Sequence, residues 1–290
     1  MTCFYIKEAS EQNKIKLKIK YIFNKLEIKE NIIELPIRAE SKIKNNKNKK
    51  IVKKIKENNV KITVLSNELV KYEQFKNELY SNNINILDGK FLFKVLSKDI
   101  LECICKKIKL DVNSLEIAVL VNDENDLNKS IIIDLAKEVK SLNIITNNIK
   151  DFKQIEELLY DEEGIVMKIS NNKKKGLIKS KVIFNLDFCE EDINSYSVPE
   201  NCIIVNTFNP IKIKTKKFNG INVKDFNIII PEKYKMQGFS DEVVYESIIY
   251  NLDYTEVREK ILEDKIRIKD IIGENGEIQE GELNKLLFVE

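Results

Sequence analysis

The sequence predicts an α/β protein with two α/β domains, the second built on a doubly wound parallel sheet, followed by a C-terminal helix. Short apolar runs alternate with longer amphipathic patterns of helical period along most of the 290 residues. Connections of helical length between strands require parallel pairing through crossovers. With 43% hydrophobic and 33% charged residues, the chain has enough apolar side chains to bury sizeable cores.

The first half contains one alternation of this kind. Residues 15–26 fit both an exposed strand and a helix, and a short buried strand is predicted at 32–36. The elements predicted after them are helix 47–58, strand 61–65, helix 68–80, strand 84–87 and helix 91–109. The long helix ends the first domain, for which we predict the range 1–110.

The pattern restarts near residue 115 and defines a second domain, 111–235. Its predicted strands are 116–121, 142–146, 165–169, 181–186, 202–206 and 226–230, and its helices are 126–140 and 151–160. Asp151 and Gln154 are predicted to form a capping box. The segment 236–290 is predicted to hold one helix, from a cap at Ser240 to about Glu263, and then looser chain.

The most informative stretch is 116–147, which reads as strand (EIAVLV), turn (NDEND), helix and strand (LNIITN). Rossmann-type domains use this unit to wrap a glycine-rich turn around a diphosphate. Here the turn has no glycine and carries three acids, Asp123, Glu124 and Asp126. The second domain is therefore predicted to be Rossmann-like with a degenerate nucleotide-binding turn.

The order of elements resembles that of two-domain dehydrogenases of the shikimate and methylene-tetrahydrofolate type. The resemblance covers most of the chain, and no specific motif of either family stands at a matching position. It is a resemblance of architecture.

The acidic turn has two interpretations. Its carboxylates would repel a phosphate by roughly 1 kcal/mol per pair in solvent, which favours a neutral or cationic ligand, or a nucleotide bound differently. Alternatively, Asp123 and Asp126 only cap the following helix and favour its dipole.

Asparagines follow several predicted strands, and the ends of parallel strands share one edge of a sheet. One interpretation is a polar binding site at this edge. The other is that these asparagines are there only because Asn is abundant in the chain and common in loops. Asn147, 25 residues after Asn122, would stand near the ribose of a bound NAD or NADP. The other candidates at the edge are Asp123, Asn171, Asn185, Asp187, Asn206 and Thr207.

Two further candidates lie in the first domain. Asp88 and Lys90 flank Gly89 at a strand end and are a candidate proton donor–acceptor pair in an interdomain cleft, or an ordinary turn. Eight lysines and no acid lie between Lys42 and Lys56, which is a candidate for non-specific nucleic-acid binding or simply a solvated face. Lys outnumbers Arg 46 to 3, as AT-rich codon usage favours.

Several functions are excluded or disfavoured by composition. The chain has no histidine, which excludes His-based catalysis and His-ligated zinc. Its five scattered cysteines indicate neither a disulfide framework nor a metal site. No apolar run approaches the roughly 20 residues of a membrane helix, and we expect a cytoplasmic protein.

The first functional hypothesis is a Rossmann-like protein without a recognisable catalytic set that binds a small molecule or a protein partner. The alternative is an NAD(P)-dependent oxidoreductase with a non-standard phosphate-binding turn, which uses Lys90 or Asp88 on its substrate. A nucleic-acid-associated protein is the third hypothesis.

Overall fold

A computed structural model of the chain describes residues 2–10, 13, 28–35, 45–209, 211–215 and 217–287. The predicted α/β class is confirmed. The chain forms two compact units that interleave along the sequence, one of Met1–Gly89 and Ile230–Leu252, the other of Lys90–Ile229 and Asp253–Glu290. The ranges 1–110, 111–235 and 236–290 remain a prediction of domain organisation.

The first unit is built on a five-stranded sheet in the order β2-β3-β1-β4-β5. All neighbours are parallel except the pair of β2 and β3. Helices α1 and α2 contribute to one apolar cluster with Ile6, and α8 contributes to another with Val64. The bounds are β1 Cys3–Glu8, β2 Ile28–Lys29, β3 Ile32–Leu35, α1 Asn45–Glu57, β4 Ile62–Leu65, α2 Glu73–Ser81, β5 Asn85–Leu87 and α8 Asp241–Ile249.

The second unit contains a six-stranded parallel sheet in the order β8-β7-β6-β9-β10-β11. Numbered from its first strand, this is the 3-2-1-4-5-6 order of the Rossmann fold. The strands are β6 Glu116–Leu120, β7 Ser141–Ile145, β8 Met167–Ser170, β9 Val182–Asn185, β10 Ile203–Asn206 and β11 Ile221–Val223. The helices before and between them are α3 Lys90–Val95, α4 Ser97–Ile108, α5 Asp126–Glu138, α6 Lys153–Glu163 and α7 Glu190–Asn194.

The final strand of this sheet was not predicted. β11 has only three residues, too few for a periodic pattern. The strand predicted at 226–230 exists as β12, Asp225–Ile229, but it pairs antiparallel with β13, Arg267–Gly273. With β14, Gly276–Glu277, these strands form a separate three-stranded sheet.

The C-terminal region differs from its prediction. Instead of one helix from Ser240, the chain forms α8 and then α9, Tyr254–Glu263. A capping box between Asp253 and Glu256 starts α9 and separates it from α8. The segment predicted to be looser holds β13, β14 and α10, Glu280–Leu287.

Two other local predictions have different outcomes. The capping box of Asp151 and Gln154 is wrong, because α6 starts after Phe152 without a side-chain cap. Residues 15–26, with their two alternatives, lie outside the described residues. Within the part of the chain that the structure describes, no helix is both long and apolar enough to cross a bilayer.

Helix α9 is joined to its neighbours by a half-buried polar network. The Tyr254 hydroxyl donates to Asp134 of α5 at 2.6 Å, and Arg258 donates to Asp99 of α4 at 2.6 Å. The α9 interface therefore depends on oriented polar contacts as well as on buried Val257 and Ile261.

We expect Tyr254→Phe to destabilise the protein by about 1–2 kcal/mol, because a partly buried carboxylate loses its donor. Urea denaturation measures the change. Tyr160→Phe is the matched control, since this side chain is 62% exposed and should lose nothing. Equal effects of the two substitutions would contradict the role assigned to the network.

Candidate functional site

The candidate site lies where the six-stranded sheet changes direction. From β6 the chain moves to β7 on one side, whereas β9 leads to β10 on the other side, and β6 and β9 are themselves paired. In open α/β sheets, the carboxyl ends of two such strands flank the ligand-binding crevice. The turn 122–125 follows β6, and Asp187 follows β9 shortly after its end.

The carboxylate of Asp187 binds the backbone of that turn. The Asn122 N–H donates to Oδ1 at 2.7 Å, and the Asp123 N–H donates to Oδ2 at 2.8 Å. In nucleotide-binding relatives of the fold, amides at this turn and helix N-terminus receive a phosphate. Here a carboxylate of the chain itself accepts their hydrogen bonds.

Asn128 extends these contacts into α5. Its side chain is fully buried, and its Nδ2 donates to the Asp123 carbonyl at 2.6 Å and to Asp187 Oδ2 at 3.4 Å. Lys94 of α3 interacts electrostatically with both Asp187 and Asp123. We call Lys94, Asn122, Asp123, Asn128 and Asp187 the switch-point cluster.

Burial sets the protonation properties of the cluster. It raises the pKa of Asp187 above its usual value, against the opposing effect of the two N–H bonds and of Lys94. It also lowers the pKa of Lys94, against the attraction of Asp187 and Asp123. Burial therefore disfavours the charged forms of both Asp187 and Lys94, and the attraction between the two charges offsets part of this effect.

The cap of α5 differs from the predicted one. Asn125 is the N-cap, and its Oδ1 accepts the Asn128 N–H at 2.9 Å. Asp126 lies in the first helical turn, where a carboxylate favours the helix dipole. Glu124 forms an ion pair with Lys129 at 2.8 Å.

The asparagines at the sheet edge separate into two groups. In the first, Asn122 Oδ1 accepts the backbone N–H of Asn147 at 2.9 Å, and Asn148 Nδ2 donates to the Asn122 carbonyl at 3.0 Å. Asn147 is exposed. Asn171, also exposed, follows β8. The hydrogen bonds of Asn122 with Asn147 and Asn148 tie the ends of β6 and β7 together at the surface.

The second group is a buried chain of amides across β9, β10 and β11. Asn185 Nδ2 donates to Asn206 Oδ1 at 3.0 Å, and Asn206 donates in turn to Asn222. Asn222 donates to the Ile211 carbonyl at 2.7 Å, and Thr207 donates to the Asn185 carbonyl at 2.9 Å. These side chains direct their hydrogen bonds into the protein. Their role as ligand contacts remains a prediction.

Asp88 and Lys90 belong to different compact units. Asp88 is exposed after β5, and the Gly89 N–H between them donates to buried Glu246 at 2.5 Å. Lys90 Nζ donates to Asn209 at 3.0 Å. Catalysis by Asp88 and Lys90 remains a prediction.

The lysine-rich segment forms helix α1 from residue 45 onward, and Lys42 and Lys44 lie outside the described residues. Ile51, Val52 and Ile55 are buried, whereas Lys50 and Lys53 are exposed. The helix is therefore amphipathic, with a solvated basic face. Among the residues with described positions, no group of three or more acids or cysteines is arranged to hold a metal ion.

Sequence reasoning missed Lys94 and Asn128. Asn128 shares an apolar stripe with buried Ile131, Ile132 and Leu135, and Lys94 stands between buried Phe93 and Val95. Lys94 follows no such stripe, because consecutive residues of a helix point about 100° apart. A polar residue on an apolar stripe is the signal that could have pointed to Asn128. It gives no indication of which other element supplies the partner.

Comparisons with known proteins identify no family, and the solved structures they find are similar only at low scores. No family model and no curated protein matches the chain. L-tryptophan dehydrogenase from Nostoc punctiforme is 9% identical over 99% of this chain and 80% of its own, with a TM-score of 0.34. A dipicolinate synthase chain from Bacillus halodurans is 8% identical over 70% and 80%, with a TM-score of 0.36. Ornithine carbamoyltransferase from Pyrococcus furiosus is 8% identical over 70% and 71%, with a TM-score of 0.29. The Rossmann-like assignment rests on the strand order rather than on these scores.

We expect Asn206→Ala to destabilise the protein by about 2–3 kcal/mol, because it leaves buried polar atoms of Asn185 and Asn222 without their partner. Asn147→Ala is the matched control, since it truncates an exposed amide and should cost less than about 0.5 kcal/mol. Urea denaturation of both variants measures the difference. A small effect at Asn206 would show that the amide chain is not needed for stability.

The carboxyl of Asp187 should titrate above 3.8, the pKa of an unperturbed aspartate. The pKa of Asp187 is raised in the folded protein. Its contribution to the free energy of unfolding is therefore fully present below pH 3.8 and is lost as pH rises through the folded pKa. The free energy of unfolding of the protein, relative to Asp187→Asn, should fall across this window. Carboxyl NMR titration and urea denaturation at several pH values measure both quantities. A folded pKa below 3.8 would contradict the dominant effect of burial.

Proposed function

We propose that the protein is a Rossmann-like protein that binds a small molecule at the switch-point cluster and uses no dinucleotide there. The supporting observation is the contact of the Asp187 carboxylate with the N–H groups of Asn122 and Asp123. A diphosphate needs these donors, and it would meet a carboxylate in their place.

The position of the cluster supports binding of a small ligand in particular. It lies at the strand ends where the sheet changes direction, which is where α/β sheets place their ligands. The polar groups there come from three separate segments, since Lys94, the turn 122–125 and Asp187 are far apart in sequence. Convergent polar groups of this kind are typical of binding sites.

The alternative is an NAD(P)-dependent oxidoreductase whose non-standard turn would have to receive the diphosphate beside Asp187. The dehydrogenase-like order of elements favours it, and the Asp187 contact opposes it. The proposal includes no reaction, because the chain has no histidine and, among the described residues, no hydrogen bond joins the Lys94 amine to Asp187 or Asp123.

We expect NAD⁺, NADH, NADP⁺ and NADPH at millimolar concentration to leave the melting temperature unchanged within about 1 °C. A dinucleotide with a Kd a hundredfold below its concentration would stabilise by about 2.7 kcal/mol, which corresponds to a rise of several degrees. Differential scanning fluorimetry makes the measurement. A saturable rise with any of the four would contradict the proposal.

The variant Asp187→Ala tests, in the same melting experiment, whether Asp187 keeps anions away from the amides of Asn122 and Asp123. This variant removes the carboxylate and leaves the two N–H groups free for an external anion. We expect it to be stabilised by inorganic phosphate, whereas the unmodified protein at equal ionic strength is not. Equal responses of the two proteins would show that Asp187 does not control access to the amides.

A further inference from the structure

Strand β8 forms one edge of the six-stranded sheet. Within the described chain it pairs with β7 and with no other strand. The Ser170 carbonyl accepts the N–H of Thr146, which follows β7, at 3.1 Å. Successive residues of a strand direct their backbone groups to opposite sides, so those of Met167 and Ile169 point away from β7. Backbone groups exposed along an edge in this way can pair with a further strand.

The opposite edge of the sheet is less suited to pairing. Its strand, β11, has only three residues and lies against β13 of the three-stranded sheet. Short edge strands and covered edges are two ways in which proteins prevent contacts between sheets. Strand β8 is longer, and its register with β7 is regular over all four residues.

Exposed apolar side chains lie beside β8. Val166, directly before the strand, is 65% exposed, and Leu158 of α6 is 42% exposed. Glu163 of α6 pairs with Lys137 of α5 at 2.7 Å, so that flank of α6 faces α5. Leu158 is five residues before Glu163 and therefore lies about 140° away around the helix. It is on the flank that faces away from α5, towards the β8 edge.

Opposite charges lie at the two ends of the same strand. Asp161 and Glu162 are exposed in the last turn of α6, shortly before β8, and this turn contains no basic residue. Lys173, Lys174 and Lys175 are exposed shortly after β8. Among the described residues, none of these five side chains forms an ion pair. The acids are also unfavourable at a helix C-terminus, where the dipole is negative.

We propose that the protein forms a two-fold symmetric dimer in which β8 pairs antiparallel with β8 of a second copy. Antiparallel pairing places the start of each strand beside the end of the other. The acids 161–162 of each copy therefore meet the lysines 173–175 of the other, and the surface is complementary to itself. The dimer goes beyond the proposed function and does not depend on it.

The charge of Lys168 selects the register of the pairing. This exposed side chain lies in the middle of β8. A two-fold axis at residue 168 would set the two Lys168 side chains opposite each other, which is destabilising. An axis at Ile169 instead sets Lys168 opposite Ser170, and the backbone groups of Ile169 in the two copies bond to each other. On the helical face, the two copies of Leu158 then pack across the axis.

The oligomeric state of the full chain tests the proposal. Sedimentation velocity from about 1 to 100 μM covers the range in which interfaces of modest size associate. We expect the average mass to rise with concentration from 33.9 kDa towards twice that value. Over the same range, exchange of the Ile169 amide hydrogen should slow by about tenfold or more, because this group becomes hydrogen-bonded.

Leu158→Glu and Tyr160→Glu form a matched pair of variants. Both remove exposed apolar side chains of α6, and the two positions are about 200° apart around the helix. We expect Leu158→Glu to weaken dimerisation by about tenfold or more, because it buries a charge at the axis. Tyr160→Glu should change it by less than about twofold. Circular dichroism checks that both variants fold.

A charge exchange tests the pairing of the strand ends. Asp161→Lys alone and Lys174→Glu alone should each weaken the dimer by about threefold or more, because each sets like charges together. The double variant should dimerise within about twofold of the unmodified protein, since the attraction is restored with its signs exchanged. Both positions are exposed, so neither change should affect folding.

Four outcomes would overturn the proposal. A protein that stays monomeric over the whole concentration range has no such dimer. Equal effects of the two α6 variants would place the interface elsewhere. A dimer without slower exchange at Ile169 would not use the edge of β8. A double charge variant as weak as the single ones would show that the strand ends do not meet.

Discussion

The contact between the Asp187 carboxylate and the turn after β6 is the interaction on which the functional site depends. It joins the ends of the two strands at which the sheet changes direction, with hydrogen bonds of 2.7 and 2.8 Å. Bonds between an ionised carboxylate and backbone N–H groups are among the stronger ones in proteins. They satisfy donors that a Rossmann fold otherwise offers to a ligand, and they do so without glycine in the turn.

This contact changes the electrostatics of the crevice. A glycine-rich turn presents bare N–H groups and a positive helix end to an anion. Here the N–H groups are covered, and Asp123 and Asp187 add negative charge that Lys94 only partly offsets. The strand order of a Rossmann fold is retained, while a carboxylate of the chain covers the N–H groups of the turn after β6.

The rest of the sheet edge is stabilised from within. The amides of Asn185, Asn206 and Asn222 join the ends of β9, β10 and β11 in a buried chain of hydrogen bonds. On the helical side, Tyr254 and Arg258 hold α9 against α5 and α4. Both networks bury polar groups with partners, which is the condition under which such groups do not destabilise a core.

Much of the architecture could be predicted from the sequence. The apolar runs of β6, β7, β9 and β10 and the stripe of α5 have the length and periodicity that local pattern can reveal. The short strand β11 and the pairing of β12 with β13 could not be predicted, because three residues carry no period and β13 lies far along the chain from β12. The break between α8 and α9 depends on a capping box at Asp253, whose sequence signal competes with the apolar stripe of Val244, Ile248 and Leu252.

The residues of the candidate site likewise divide into those that the sequence could reveal and those that only the tertiary structure brings together. The sequence by itself determined the acidic turn and the absence of glycine. Only the tertiary structure decided that Asp187 would bind the amides of Asn122 and Asp123, and that Lys94 and Asn128 would join it. The physical reason is that residues 94, 123 and 187 are brought together by strand order, and strand order depends on packing between elements rather than on any local pattern.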